Sequence, residues 1–424
     1  MYEDRYGNPV STSSQAARDH YVDAVDGLLA AFEGVEEAFQ RAIDEDPDFI
    51  LAHIGLSRQH QMRGATALSR KSVETALEIS RHVSNHEKSH INAMSLLLQG
   101  KIPAAIKAIR SHITEYPRDA VVAQTCMGVF GLIGFSGQPG REAEQLAFTT
   151  SLAPHYGDDW WFLGQHAFAQ LEIGQLGPAE KSIEPALAQN PKSGVNAHIR
   201  SHLYYENGES AAGLGYLEAW RDDYSREAMM HCHLSWHIAL WSLEQGNETR
   251  MWEIFDTDIL PDGGATGPAL NVATDAPSLL YRAELAGVQV SAERWQSVSE
   301  YVSGSFPKTG LAFADVHAAL AHAMAGNMDS LQKIIKDARG PAGDLVKLFA
   351  EAFEAVASAS WRKAADLLSV ALTDHARIGG SRAQRDLLEF ILALALLKLG
   401  RAEDARLFLN MHRPNVPASA IAGL

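Results

Sequence analysis

Residues that end helices recur along this chain at intervals close to the length of one helical hairpin. Glycine is favoured just past a helix C-terminus because it adopts the left-handed conformation at little cost. Glycines in such positions follow one another at gaps of 34 to 41 residues, with one last gap of 74 that equals two units. The glycines are Gly64, Gly100, Gly134, Gly174, Gly208, Gly246, Gly287, Gly326 and Gly400.

A series of prolines keeps the same interval, with steps of 37 or 70 residues. Proline cannot continue a helix interior, so each of these prolines is predicted to mark the exit of the second helix of a pair. A tetratricopeptide unit is about 34 residues of helix–turn–helix that ends near a proline. The prolines are Pro47, Pro117, Pro154, Pro191 and Pro261.

The apolar pattern between these breakers is helical. In Glu36–Ile43 apolar residues recur at the spacing of one helix face, and stretches that alternate with period two are scarce. The sequence therefore predicts an all-α, superhelical solenoid of about ten tetratricopeptide-like helix pairs. We expect an N-terminal arm at 1–16, a single repeat domain at 17–412 and a C-terminal arm at 413–424.

Composition limits the surroundings and partners that we expect. Lys and Arg number 36 against 52 Asp and Glu, a net charge of −16, and no basic run stands out. Such a chain should repel nucleic acid and anionic lipid, so neither nucleic acid nor a membrane is predicted as a partner. Two cysteines form no disulfide framework, no signal peptide is apparent, and Phe390–Leu397 is too short to span a bilayer. We predict a cytoplasmic protein and leave its oligomeric state open.

Histidine and tryptophan collect on the first helices of the predicted pairs. These helices line the concave side of a solenoid, which is the usual binding surface of repeat proteins. Equivalent positions on adjacent first helices lie side by side, so the rings should be close in space. The candidate residues are Trp160, Trp161, His198, His202, His233, Trp236, His237, Asp315 and His317.

Two histidine pairs have the spacing of one helical turn. His198 with His202, and His233 with His237, each place two imidazoles on one helix face. Two such pairs on adjacent helices could bind a metal ion, although the order His-Glu-x-x-His of zinc hydrolases is missing. Polar contacts to a ligand, or hydrogen-bonded packing, explain the same pattern. No cofactor is predicted, and a metal at these four histidines remains one of the alternatives.

A further motif, Gly-Gly-Ser-Arg-Ala-Gln-Arg-Asp, occupies residues 379–386. Ser381 followed by Gln384 has the spacing of a capping box at a helix N-terminus. Arg385 could anchor an anionic ligand with two hydrogen bonds and be oriented by Asp386, or both could form an interhelical salt bridge. We expect about ten units to curve far enough for residues 315, 317 and 385 to face the histidines across one cavity.

These residues together resemble the tetratricopeptide repeat protein 38 family. The resemblance rests on Phe39–Leu56, on the two histidine pairs, on Phe255–Pro261, on Asp315-Val316-His317 and most specifically on 379–386. In the family pattern a glutamate follows the second histidine of the first pair by three positions, whereas here Tyr205 stands there and Glu206 comes next. The resemblance implies a soluble helical-repeat protein and no particular reaction.

Two classes of function follow from these patterns. In the first, the concave pocket holds a small molecule or a peptide by stacking on its tryptophans and by hydrogen bonds from its histidines. Gln384, Arg385 and Asp386 would then belong to the ligand-binding set. In the second, the four clustered histidines act as catalytic residues of a hydrolase, with or without a metal, because the pKa of imidazole lies near neutrality. An enclosed pocket would favour the enzyme.

Overall fold

The computed structural model describes residues 2–79, 82–415 and 420–424. Within these residues it contains 22 α-helices and one short hairpin of two strands. The strands are β1 Tyr2–Glu3 and β2 Pro9–Val10. The helices are α1 Gln15–Ala30, α2 Val35–Glu45, α3 Ile50–Met62, α4 Thr66–Glu78, α5 Asn85–Leu98, α6 Ile102–Glu115, α7 Ala120–Gln124, α8 Arg141–Tyr156, α9 Trp160–Glu172, α10 Leu176–Gln189, α11 Gly194–Asn207, α12 Ser210–Arg221, α13 His231–Glu244, α14 Glu248–Ile254, α15 Ala269–Leu285, α16 Ala292–Ser305, α17 Ala312–Met324, α18 Met328–Asp337, α19 Gly343–Ala357, α20 Trp361–Ala371, α21 Arg382–Lys398 and α22 Ala402–His412.

The predicted all-α solenoid of helix pairs is confirmed. Successive helices pack as pairs, for example α3 with α4 and α9 with α10, and each pair also contacts the next. The first helix of a pair is buried on most of its surface, whereas the second has an exposed face. In α13, every residue from His231 to Leu243 is buried. Polar side chains on the first helices therefore lie inside the molecule, where each needs a partner.

The glycine series locates most of the helix ends. Eight of the nine predicted glycines have the positive φ of a left-handed residue just past a helix. Gly134 is the exception, because the five-residue α7 gives way to an irregular segment and no helix ends at this glycine. The missing glycine of the last long gap is replaced by Ala359, which follows α19 with a φ of +53°. A repeat can therefore keep its turn without glycine, at the cost of some backbone strain.

The proline series has one error as well. Pro47, Pro117 and Pro191 follow the ends of α2, α6 and α10 as predicted. Pro154 instead lies within the last turn of α8, which continues to Tyr156. There the missing N–H leaves a single carbonyl of the preceding turn without its helical donor, which a helix tolerates near its end.

The N-terminal hairpin was not predicted, because its strands have only two residues each. Asp4 Oδ1 accepts hydrogen bonds from the backbone N–H groups of Tyr6 and Asn8, both at 2.8 Å. Gly7 has a φ of +81° and completes the turn. Of the predicted arms, Met1 and residues 416–419 lie outside the described residues.

The superhelix curves until its last units contact units in the middle of the chain. Helix α21 lies against α11 and α15, and the segment 372–378 lies against α8 and α17. The Arg141 guanidinium of α8 donates to the carbonyl of Gly380 at 2.7 Å, 239 residues later in the chain. The inner helices of both halves therefore share one interior.

None of the helices in the described residues combines the length and the apolar character needed to cross a membrane.

Candidate functional site

The two histidine pairs meet in the interior. Ser193 caps the N-terminus of α11, where its hydroxyl accepts from the Asn196 N–H. The ring centroids of His198 and His233 are 4.8 Å apart, and those of His202 and His237 are also 4.8 Å apart. One potential ligand atom from each of the four imidazoles lies within 4.8 Å of the other three. The spacing of the two pairs in the sequence predicted this proximity.

All four rings are buried, and burial favours the neutral form of three of them, His198, His202 and His237. Burial, followed by the neighbouring imidazoles, holds the pKa of His198 and of His237 well below the usual value. Burial also lowers the pKa of His202 strongly, with His233 and Arg413 contributing. A neutral imidazole has one nitrogen with a free lone pair, which is the form that binds metals.

Three of the eight ring nitrogens of this cluster are buried without a hydrogen-bond partner among the described residues. One bond joins His202 Nε2 to His198 Nε2 at 2.8 Å. The Nδ1 of His202 and both nitrogens of His237 are buried with no partner there. Buried polar atoms nearly always have partners, so the cluster is incomplete as a purely hydrogen-bonded unit.

A carboxylate orients one of the rings. Asp275 on α15 accepts a hydrogen bond from His233 Nδ1 at 2.7 Å, so that Nε2 is the nitrogen with the free lone pair. The ring of Trp236 stacks on His233 at 5.2 Å between centroids. The side-chain amide of Gln384, on α21, lies near the Asp275 carboxylate. Burial raises the pKa of the Asp275 carboxyl, whereas His233 and Gln384 lower it.

The carboxylate next to the first histidine pair has a different role. Glu206 forms two hydrogen bonds with the guanidinium of Arg413, at 2.7 and 3.2 Å. Arg413 also lies 2.9 Å from Asp386, which accepts from the Tyr205 hydroxyl at 2.9 Å. The expected C-terminal arm thus begins in a buried ion-pair network with α11 and α21.

The predicted capping box is present, and Arg385 lies in the interior beside it. Ser381 and Gln384 cap the N-terminus of α21 reciprocally. The Arg385 guanidinium donates to Glu142 and to the Gly380 carbonyl, so both of its terminal nitrogens already have a partner. A role as an anion anchor would require this ion pair to open, and the interhelical salt bridge is the arrangement observed.

Glu172 on α9 lies next to the N-terminus of α21 and to Arg385. Its carboxylate accepts from the backbone N–H of Arg382 at 3.0 Å and lies 3.9 Å from Arg385. Burial raises the pKa of Glu172 to about 7, although Arg385 lowers it. Burial therefore favours the protonated form of this carboxyl group.

His317 and Asp315 are both buried, but Asp315 lines a separate cavity. His317 Nδ1 donates to the Phe313 carbonyl at 2.7 Å, and burial lowers the pKa of His317 to about 4, with Arg282 contributing. Asp315 accepts from the Gly310 N–H and lines a separate cavity beside Arg339. The expectation that Asp315 faces the histidine pairs is wrong, because residues two apart on a helix point to different sides.

The tryptophans at the start of α9 are also placed differently from the prediction. Asp159 caps α9, and Arg5 of the N-terminal segment lies 5.1 Å from the ring of Trp160. Trp161 packs on Tyr6 and Tyr156 at 6.4 and 5.5 Å between centroids. These two rings hold the N-terminal segment and do not line the histidine cluster; of the three candidates only Trp236 contacts it.

A cavity of about 190 Å³ lies between α11, α13, α15 and α21. Arg282 lines this cavity and donates a hydrogen bond to the Ala383 carbonyl. Its guanidinium carbon lies 6.0 Å from the ring of Trp236, which stacks on His233, so Arg282 lies between the cavity and the histidine cluster. Arg382 and Arg413 line the same cavity together with Tyr205. Three guanidinium groups and the carboxylates of Glu206 and Glu244 therefore line this cavity.

Replacing His322 by Gln should reduce the sensitivity of the fold to acid. Burial lowers the pKa of His322 to about 4, and its Nδ1 contacts the Ser299 hydroxyl at 2.8 Å. A depressed pKa stabilises the fold above the unfolded value of about 6.5, and this contribution is lost as pH falls toward 4. Between pH 7.5 and 5.5 the unaltered protein should lose about 1.4 kcal/mol more unfolding free energy than His322→Gln.

Urea unfolding at the two pH values measures this difference, and His155→Gln at an exposed position is the control. Equal losses in the unaltered protein and in His322→Gln would contradict the prediction.

Two sets of residues in these clusters were not predicted from the sequence. Asp275 was detectable as a lone carboxylate within the apolar stretch of α15. His86 and His90 on α5 have the same spacing as the histidine pairs that were singled out, and they are buried too. The repeated four-residue spacing was the available signal for this second pair.

No known protein-family profile matches the chain. Among solved structures, a human IFIT1 dimer with m7Gppp-AAAA is 11% identical, with a TM-score of 0.46 over 96% of each chain. A human IFIT1 dimer with PPP-AAAA has the same identity and TM-score over 95% of each chain. The P58(IPK) TPR domain is 13% identical, with a TM-score of 0.21 over 91% of this chain and 99% of that chain. These are tetratricopeptide-type folds, whereas membership of the protein 38 family stays a prediction.

The prediction that nucleic acid is excluded as a partner is contradicted, because the IFIT1 solenoids hold capped and triphosphate RNA. The error has a physical reason. A net charge of −16 describes the whole chain, whereas a contact with phosphate needs only a local set of cations.

Proposed function

We propose that this chain is a metal-binding helical-repeat protein, in which two histidine pairs hold a divalent ion of the Zn²⁺ class. The observation that carries the proposal is the convergence of four buried imidazoles whose ligand atoms lie within 4.8 Å of one another. Neutral imidazole is a preferred ligand of Zn²⁺, Cu²⁺ and Ni²⁺, and it needs no proton release to bind. The ligands are His198, His202, His233 and His237.

The distances support a site that needs little rearrangement. Zinc–nitrogen bonds of about 2.0–2.1 Å in a tetrahedron separate the nitrogens by about 3.3 Å. The 2.8 Å contact between His198 and His202 would lengthen by about half an ångström. The nitrogens of His237 that have no partner among the described residues would gain one.

The surroundings support a metal that is held firmly. Asp275 contacts His233 in the arrangement of carboxylate, histidine and metal that fixes the ring and raises its basicity. Trp236 covers the same ring, and the cluster lies in a nearly dry environment where neutral ligands are favoured. Helices α11, α13 and α15 would thereby be joined at one point.

A ligand-binding role accompanies this centre in our proposal. The cavity at Arg282 has room for a small molecule, and Arg382, the most exposed of its three arginines, could pair with an anionic group on that molecule. A peptide in an open groove is less compatible with this enclosed interior. The contact of α21 with α11 supports treating residues 17–412 as one unit built around the cavity.

The second candidate function is a metal-dependent hydrolase. A catalytic zinc has three protein ligands and keeps one position for water. His198 is the most exposed of the four histidines, at 7%, which favours it as the ligand that could leave. Glu172, with its pKa near 7, is a buried group that could exchange protons in such an interior.

Metal analysis of the purified chain tests the proposal. After growth with added zinc, His202→Gln and His237→Gln should each have one zinc fewer per chain than the unaltered protein, with helical content unchanged. His155→Gln, at an exposed position, is the matched control and should keep the full amount. If His198→Gln alone retains the metal, three ligands suffice and the hydrolase is favoured. Equal zinc contents in the unaltered protein and in His237→Gln would overturn the proposal.

A further inference from the structure

A second group of histidines lies in the first third of the solenoid, apart from the proposed metal centre. His86 and His90 occupy one face of α5, a turn apart, and His112 comes from α6. Asp119 caps the short α7, where its Oδ1 accepts from the Val122 N–H. All four side chains are buried, with exposures between 0 and 4%. Three consecutive helices thus contribute to one cluster.

The three imidazoles converge on a single oxygen. Asp119 Oδ2 lies 2.8 Å from His86 Nε2, 2.7 Å from His90 Nδ1 and 3.0 Å from His112 Nε2. The four atoms all lie within 4.8 Å of one another. Such distances between ligand atoms are close to the edges of a tetrahedral zinc site, which are about 3.3 Å.

We propose that this cluster is a second, independent metal site, with three imidazoles and one carboxylate around a Zn²⁺-class ion. The ligand set belongs to the types that zinc takes in proteins. It differs from the four-histidine centre because its carboxylate binds the ion directly and neutralises part of its charge. With four protein ligands and almost no solvent exposure, the site is closed and structural.

The position of the site indicates what the ion stabilises. The neighbouring Arg118 donates from Nε to the Tyr6 carbonyl at 2.9 Å, and Asn8 donates to the Arg118 carbonyl at 3.2 Å. Ser11 donates from its backbone to Glu87, which lies between the two histidines of α5. The ion would join α5, α6 and α7 beneath the N-terminal segment and fix the surface on which that segment packs.

A hydrogen-bonded cluster without metal is the competing explanation. In it Asp119 would accept three N–H bonds, and the cluster would have no affinity for zinc. The two explanations therefore differ in metal stoichiometry, which inductively coupled plasma mass spectrometry measures on the full chain after growth with added zinc and desalting.

We expect two zinc ions per chain in the unaltered protein and one in His112→Gln. The double variant His112→Gln/His237→Gln should hold none, and His155→Gln, at an exposed position, should hold two. A zinc content that His112→Gln does not lower overturns the second site and leaves the four-histidine centre standing if His237→Gln lowers it. If His112→Gln lowers the zinc content and His237→Gln does not, the four-histidine centre is overturned and this second site is supported.

A variant that replaces one metal ligand by another distinguishes loss of a ligand from loss of the fold. His112→Cys keeps a zinc ligand but cannot restore the hydrogen bond of an imidazole. It should retain both zinc ions, and after cobalt substitution it should gain a near-ultraviolet charge-transfer band from thiolate to cobalt. The unaltered protein, whose Cys126 and Cys232 are buried outside both clusters, should lack this band. Absence of the band from folded His112→Cys would overturn the proposal.

Discussion

Replacing Arg413 by Ala should lower the free energy of unfolding by about 3 to 5 kcal/mol, because the change leaves buried carboxylates without their counter-charge. Arg413 bonds to Glu206 at 2.7 Å and lies 2.9 Å from Asp386. The side chains of all three residues are at most 7% exposed, so water cannot replace the guanidinium. Guanidinium chloride unfolding followed by circular dichroism measures the loss.

Two further variants separate the buried network from an ordinary ion pair. Arg406→Ala breaks an exposed pair with Glu403 and should cost less than about 1 kcal/mol. Neutralising the partners together, in Arg413→Met with Glu206→Gln and Asp386→Asn, should recover part of the loss because no charge is left unpaired. A loss in Arg413→Ala as small as that in Arg406→Ala would contradict the prediction.

Replacing Asp275 by Asn should weaken zinc binding at the four-histidine centre by about 10- to 100-fold. The amide oxygen of the new side chain would still accept from His233 Nδ1, so the ring keeps its orientation, but the negative charge that raises its basicity is lost. Competition with a chromophoric chelator, in a His112→Gln background that leaves one site, measures the affinity.

Asp256→Asn is the matched control, because Asp256 forms an exposed ion pair with Arg294 outside the interior. Its zinc affinity should equal that of the background protein. An unchanged affinity in Asp275→Asn would mean that His233 does not bind the ion, and the four-histidine proposal would then need a different ligand set.

Both predictions depend on the same property of the fold. The network at Arg413 and the contact of Gln384 with Asp275 join α21 to the middle of the chain, so closure of the superhelix completes the surroundings of the histidines. A repeat protein that binds along an open groove has no need for such contacts. The closed interior is therefore the feature that favours a metal or small-molecule site over a peptide groove.

Local features of the candidate site were predictable from the sequence. His198 and His202 share a helix face because 3.6 residues make one turn. This holds regardless of what the helix packs against. The capping box of Ser381 and Gln384 likewise needs only the residues at the start of one helix. Periodicity and caps act over a few residues, so a sequence alone specifies them.

Contacts between distant parts of the chain were decided by the tertiary structure. The carboxylate that orients His233 comes from α15, whereas Glu206, nearer in sequence, faces Arg413. Trp160 packs under the N-terminal segment and Asp315 points to another cavity, although both lie on first helices. Which residues meet there depends on the small rotation that each helix pair adds to the superhelix.

The sequence by itself determined the helices, most of their ends and the pairing of histidines on α11 and α13. The tertiary structure alone decided that the superhelix closes, that Asp275 and Gln384 reach the histidines, and that Arg385 already has a carboxylate partner in Glu142. The physical reason is range. Helix formation follows from neighbours in sequence, whereas closure sums the side-chain packing of all the units between α8 and α21, and no single motif encodes that sum.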